Sequence, residues 1–326
     1  MASKDTRKAD ETKNEKIRNR IGFSRMEKKY EWKDHVIFMG ILLGLAFWVN
    51  RNVEIKGLYM DDLYLWSCFG EQSFFQYVFP IGSTRFRFLY YLAAWLEMAF
   101  VGSHVSWFVP INILINTMVA WTIYFMGRSL SRSKAVGFVC GAMYLVTRMA
   151  YYQIGQVLGL METMALWMAI GILWCLYRYL NEERRECLFY ISCALYFGVC
   201  FVHERYMVLF PLLLLALAVK RCRNPKAWAS AIGAFLVMQL IRFLAIGTVL
   251  PAGTGRTQVA ETFSIGQAIV YAANQIGYIF GWNLGPEHLN GCPWSVTPFW
   301  VKGLVILGDV MVLLLALGFL LRIVRE

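Results

Sequence analysis

Leu158-Gly-Leu-Met-Glu162-Thr-Met-Ala-Leu-Trp-Met-Ala-Ile-Gly-Ile-Leu-Trp-Cys-Leu-Tyr-Arg178-Tyr179 is one long apolar run, with a carboxylate in its first turns and a guanidinium near its end. About 20 mostly apolar residues cross a bilayer, so this stretch predicts a transmembrane helix. Similar runs recur along the chain. Spans are expected over His35–Asn50, Val105–Gly127, Ala135–Thr147, Leu158–Tyr179, Leu188–Val202, Tyr206–Val219, Ala227–Val249 and Val301–Leu321. Two further stretches, Phe86–Val101 and Ser264–Leu284, are ambiguous. The chain is 58% hydrophobic and 16% charged, with a mean hydropathy of +0.49. A soluble domain carries about 25% charge. The expected fold class is all-α, a polytopic helical membrane bundle.

The distribution of Lys and Arg chooses among topologies, because cytosolic loops collect basic residues. If neither ambiguous stretch crosses, the basic residues outside are Arg51, Lys56, Arg85, Arg87, Arg148, Arg205, Arg256 and Lys302. Nearly all the rest fall inside. If Phe86–Val101 crossed alone, the basic clusters at 128–134 and 220–226 would move outside and break the rule. Both ambiguous stretches carry polar stripes, Arg87, Tyr90, Ala94 and Glu97 in one and Gln267, Asn274, Gln275 and Tyr278 in the other. Amphipathic helices of this kind lie along an interface. About eight spans are expected, with both termini cytosolic. Two outer loops, about 51–104 and 250–300, would each hold an interfacial or re-entrant helix. Residues 1–34 are polar and charged, and read as a disordered or loosely helical cytosolic tail rather than a signal peptide. The remaining domain is 35–326. The net charge of +11 is spread between apolar runs, so it orients a membrane protein and does not indicate nucleic-acid binding.

In this topology the embedded charges gather on one side. Asp61 and Asp62 follow the first span in Gly57-Leu-Tyr-Met-Asp61-Asp62-Leu-Tyr64. Glu162 lies in the first turns of an inward-running helix, and His203-Glu204-Arg205 forms an outer turn. Arg242 is roughly 23 Å along an outward-running helix at about 1.5 Å per residue, and Asp309 is about two turns into an inward-running one. Charges at such depth face a cavity or one another. The set predicts a wet outward-facing pocket. The plainer alternative is structural ion pairs, Glu204–Arg205 and Glu162–Arg148.

The order of these features resembles the GT-C superfamily of membrane glycosyltransferases, with a core similar to aminoarabinose transferases and protein O-mannosyltransferases. Asp61-Asp62 matches the acidic start of that family's first outer loop. Arg85-Phe-Arg87-Phe-Leu-Tyr-Tyr-Leu, with Phe100-Val-Gly102, resembles the helix closing the loop. Asn112 to Asn116 and Tyr124 to Arg128 resemble its second span, Gln153-Ile-Gly155 through Glu162 its second outer loop, and His203-Glu204-Arg205-Tyr206 a recurring acidic turn. The resemblance covers roughly residues 35–220. Members usually have more helices and often an outer soluble domain, so a minimal, truncated or degenerate member is expected.

The resemblance implies inverting transfer of a sugar from a polyprenyl-phosphate donor to a saccharide, lipid or protein acceptor at the outer face, in a bacterial inner membrane. Asp61 or Asp62 would be the general base. Arg85, Arg87, Arg205, Arg242 and Arg256 would hold the donor phosphate. Glu162, His203 and Glu204 would support the site. Mg²⁺ or Mn²⁺ could bridge Asp61, Asp62 and Glu204, although no signature demands a metal. The glycine-rich loop Pro251-Ala-Gly-Thr-Gly-Arg256-Thr suits phosphate approach, or is simply a flexible connection; Glu287 and His288 are weaker candidates. A Cys68–Cys292 disulfide would clamp the two outer loops. Phe74, Phe75, Tyr77, Phe79, Trp294, Phe299 and Trp300 read as an aromatic belt. The rival functions are a non-catalytic lipid-binding scaffold and a transporter or flippase.

Overall fold

The computed structural model describes residues 32–58, 60–182, 186–249, 264–279, 282 and 294–325. Most of the expected tail, the loop containing Arg256, and Glu287, His288 and Cys292 lie outside these residues. Among the described residues every regular element is helical. The chain forms two compact units, Met1–Arg256 and Thr257–Glu326.

In the first unit α1 is Trp32–Val49. It is followed by α2 (Met60–Glu71), α3 (Phe74–Val78), α4 (Phe88–Val101), α5 (Phe108–Ser131), α6 (Lys134–Leu145) and α7 (Arg148–Ile154). Then come α8 (Gly159–Asn181), α9 (Glu186–Cys200), α10 (Phe210–Val219) and α11 (Pro225–Ile246). Each expected span overlaps helical residues, though not always one helix. Among the described residues four helical segments are long and apolar enough to cross a membrane: Trp32–Val49, Val105–Ser131, Gly159–Asn181 and Pro225–Ile246. Their outward faces carry bare apolar side chains, such as Ile37, Leu173, Leu236 and Leu244. That exposure suits lipid and not water. The chain therefore has the make-up of a helical membrane protein.

Local sequence sets the boundaries. Ser133 caps α6 through Val136 N–H, and Thr147 caps α7 through Ala150 N–H. The expected span Ala135–Thr147 thus ends early, because Thr147 starts a new helix. Tyr206–Val219 is not one helix either. A 3₁₀ stretch, Glu204–Leu209, precedes α10, and Pro211 stands in the first turn of α10, where its missing N–H costs nothing.

Close packing joins α5 to α6. A Cβ added to Gly137 would stand 2.4 Å from the Tyr124 carbonyl oxygen, so only glycine lets the two backbones approach this far. Trp121 on α5 donates its indole N–H to the Met39 carbonyl of α1 (3.1 Å). A second core, containing Tyr90, Ala94, Phe108, Ala165, Ile172 and Tyr196, unites α4, α5, α8 and α9.

The polar stripe of α4 faces inward. Here Arg87, Tyr90, Ala94 and Glu97 are all buried, while Leu96 and Phe100 are exposed. Arg87 finds a carboxylate inside, and the apolar face is the one released outward. Tyr77, expected in the aromatic belt, is also buried; its hydroxyl lies 3.8 Å from Met98 Sδ. Phe75, Phe299 and Trp300 are exposed, in keeping with a belt.

The second unit contains α12 (Ile265–Ile279) and α13 (Phe299–Arg325). Ile265, Ile269, Val270 and Ile276 of α12 are exposed. Asp309 of α13 accepts a hydrogen bond from Trp282 Nε1 (2.8 Å), and Lys302 Nζ lies 5.7 Å from the Trp294 ring centroid.

Candidate active site

A cavity of about 1260 Å³ opens within the first unit. Its lining comes from the segment 61–91, from Tyr152 and Gln156, from Leu158, Met161 and Glu162 at the start of α8, and from His203 and Arg205. These are the segments that the charge count places outside, together with the first turns of one span.

One wall begins at α2. Asp61 and Asp62 occupy its first turn, where the amide dipoles favour negative charge. Neighbouring residues on a helix point about 100° apart, and this separates the pair. Asp61 is exposed and lines the cavity. Asp62 is buried, and both its oxygens are engaged: Oδ2 accepts Val157 N–H at 3.1 Å and Oδ1 accepts Leu158 N–H at 2.8 Å. Burial pushes the Asp62 carboxyl above its ordinary range; the two amides pull it back only in part, and Asp61 adds a further push upward.

Another part of the site is a double layer of charge. Glu204 lies behind, 2% exposed, and Arg87 grips it with a fork: Nε to Oε2 at 2.6 Å and Nη2 to Oε1 at 2.6 Å. Arg85 adds Nη1 to Oε1 at 3.0 Å. Burial alone would raise the Glu204 carboxyl, but the Arg87 hydrogen bonds and charge outweigh it and hold it at about 2. Burial would lower the Arg87 guanidinium, and Glu204 reverses that, leaving it raised. In front, Glu162 Oε1 lies 3.4 Å from His203 Nε2 and 3.4 Å from Arg205 Nη2. His203 Nδ1 accepts the Arg205 backbone N–H at 3.3 Å, which turns Nε2 toward Glu162.

The pairings differ from those expected. Glu204 is held by Arg85 and Arg87 from the distant first loop, not by its neighbour Arg205. Glu162 is held by His203 and Arg205, and the Arg148 side chain lies outside the described residues. Arg242 is completely buried in α11 and does not line the cavity, so a phosphate in the cavity would not reach it. Arg256 lies outside the described residues.

A metal bridging Asp61, Asp62 and Glu204 does not fit this donor set. Both oxygens of Asp62 serve amides, and both of Glu204 serve guanidiniums. Among the described residues no group of three His, Cys, Asp or Glu is placed to hold an ion.

Several contributors escape a sequence reading. Tyr64, Tyr91 and Tyr152 line the cavity beside the carboxylates. Tyr64 stands one helical turn after Asp61, a spacing that could have found it. Glu97 is buried beneath α4, and neither of its oxygens has a hydrogen-bond partner among the described residues. Burial, helped by the Asp62 charge, pushes its carboxyl up to about 8. Inside the bundle Gln153 Oε1 accepts from Asn116 Nδ2 (2.8 Å) and from Tyr144 OH (3.0 Å), and Asn116 also reaches Thr163 Oγ1 (3.3 Å). No family model, no curated protein and no solved structure matches this chain.

Proposed function

We propose that this protein is a membrane glycosyltransferase of GT-C type, which moves a sugar from a polyprenyl-phosphate donor to an acceptor at the outer membrane face with inversion. The observation that carries this reading is the cavity, whose lining combines one exposed carboxylate, Asp61, with Arg85, Arg205 and Glu162. Around α3 and the turn after it, Phe75, Phe79, Pro80 and Ile81 make part of the lining apolar. A ligand with a charged head and an apolar tail matches that division.

Asp61 takes the proton as the acceptor oxygen attacks the anomeric carbon. The new carbon–oxygen bond forms on the face opposite the phosphate. The bond from the anomeric carbon to the phosphate oxygen breaks, and its electron pair leaves with the polyprenyl phosphate. Arg205, and Arg85 at 42% side-chain exposure, are the guanidiniums near enough to the surface to neutralise that charge. Glu162, paired with His203 and Arg205, can ease positive charge on the sugar ring. In the accompanying topology about eight helices span the membrane, both termini are cytosolic, and the cavity faces outward, as suits a bacterial inner membrane. The test is transfer of label from radiolabelled polyprenyl-phosphate pentoses and hexoses to membrane acceptors. Turnover by wild type and its loss in Asp61→Asn are expected. No turnover of any donor by a folded protein would remove the proposal.

A further inference from the structure

We infer that Asp62 is a positioning residue, a latch that fixes the helix carrying Asp61 against the helix carrying Glu162 and so sets the spacing of the two cavity carboxylates; this rests on the proposed catalytic reading of Asp61. Its carboxylate binds the turn that leads into α8, from another element. Here Val157 N–H and Leu158 N–H, at the entry to α8, both end on Asp62. Asp61 is adjacent in α2, and Glu162 lies one turn into α8. A single carboxylate thereby ties α2 to the entry of α8.

The turn it grips is held from the other side as well. Asn112 Nδ2 of α5 donates to the Gln156 carbonyl (3.1 Å) and the Ile154 carbonyl (3.4 Å). Gln153 is pinned by Asn116 and Tyr144. Gly159 closes the turn so tightly that an added Cβ would stand 1.8 Å from the Gln153 carbonyl oxygen. The turn is therefore fixed to the membrane bundle below and hands its position to α2 through Asp62. An asparagine at 62 keeps one acceptor but sets an NH₂ donor against the second amide, so it cannot restore the latch.

The experiment compares wild type, Asp61→Asn, Asp62→Asn and Asn112→Ala in two ways. The first is the pH profile of transfer from the radiolabelled donors. The second is hydrogen exchange over residues 155–162. Asp62→Asn is expected to lower kcat by about 10²-fold, the cost of roughly an ångström of misplacement. The donor KM and the acid limb of the profile should stay where wild type has them, and exchange at 155–162 should quicken. Asn112→Ala cannot donate to this turn and should share the phenotype more weakly. Asp61→Asn should remove turnover and leave exchange unchanged. Loss of the acid limb in Asp62→Asn would make Asp62 the base and overturn the latch, as would unchanged exchange or unchanged kcat. If wild type transfers nothing, the catalytic reading fails on its own. Exchange then decides whether the latch exists: faster exchange in Asp62→Asn upholds it, and equal exchange overturns it.

Discussion

Replacing Glu204 with glutamine tests the charge layer behind the cavity. The substitution keeps the shape and removes the charge. Arg87, 7% exposed, would then keep a buried cation without a counter-charge, and Arg85 would lose its partner. Two routes give the size of the effect. A buried pair broken on one side costs about 3–5 kcal/mol. A carboxyl moved from 4.5 to about 2 carries about 3 kcal/mol at about 1.4 kcal/mol per pH unit. At about 2–4 °C per kcal/mol, the apparent Tm should fall by roughly 6–20 °C. Unfolding in detergent can be followed with a thiol-reactive dye, because Cys193 and Cys200 are buried in the native state. The pH dependence adds a sign. A depressed carboxyl gives stability that is full above about 4.5 and is lost as pH falls toward about 2, and Glu204→Gln should erase that acid slope. The double variant Arg87→Met, Glu204→Met removes both buried charges and should recover most of the loss. A Tm for Glu204→Gln within about 1 °C of wild type, with the acid slope intact, would refute this reasoning.

Glu97 should behave in the opposite sense. A carboxyl raised from 4.5 to about 8 favours folding below about 4.5, and that stability is lost as pH rises through 8, to a limit on the order of 5 kcal/mol. Glu97→Gln should therefore match wild type at pH 4 and exceed it at pH 9 in the same dye assay; equal pH dependence in the two proteins would contradict it. Gly137→Ala and Gly159→Ala should unfold or strongly destabilise the protein, because the new methyl groups meet backbone at 2.4 Å and 1.8 Å. Gly233→Ala meets nothing within 4 Å and should be neutral, or stabilise α11 by up to about 1 kcal/mol, as judged by Tm. Asn116→Ala removes one of two donors to Gln153 Oε1 and the donor to Thr163 Oγ1, while Tyr144 and the Gly159 carbonyl keep their bonds, and should cost about 1 kcal/mol; no measurable shift would count against the network.

The apolar runs made the helices legible, since only helices and closed barrels satisfy the backbone in lipid. That Asp61, Glu162, His203 and Arg205 share one cavity was also legible, because the charge count groups their loops before any contact is known. Which charge meets which was not. Arg205 is next to Glu204 in sequence, yet Arg87, 117 positions away, supplies the fork. The difference between Asp61 and Asp62 arises from helix phase and from the turn at 157–158, and neither is written in the pair itself. The α4 stripe showed amphipathicity but not its direction, because in lipid the apolar face is the one released outward. The polar contacts of Asn116, Gln153 and Thr163 lie within apolar surroundings whose periodicity gives no sign of them.

The most direct measurement is single-turnover transfer from radiolabelled polyprenyl-phosphate sugars by purified wild type and Asp61→Asn in vesicles. Exchange over residues 155–162 should be recorded on the same samples. Transfer by wild type, and its loss in a variant that keeps the Tm and exchange pattern of wild type, is the expected result. Undiminished transfer by Asp61→Asn would contradict the account.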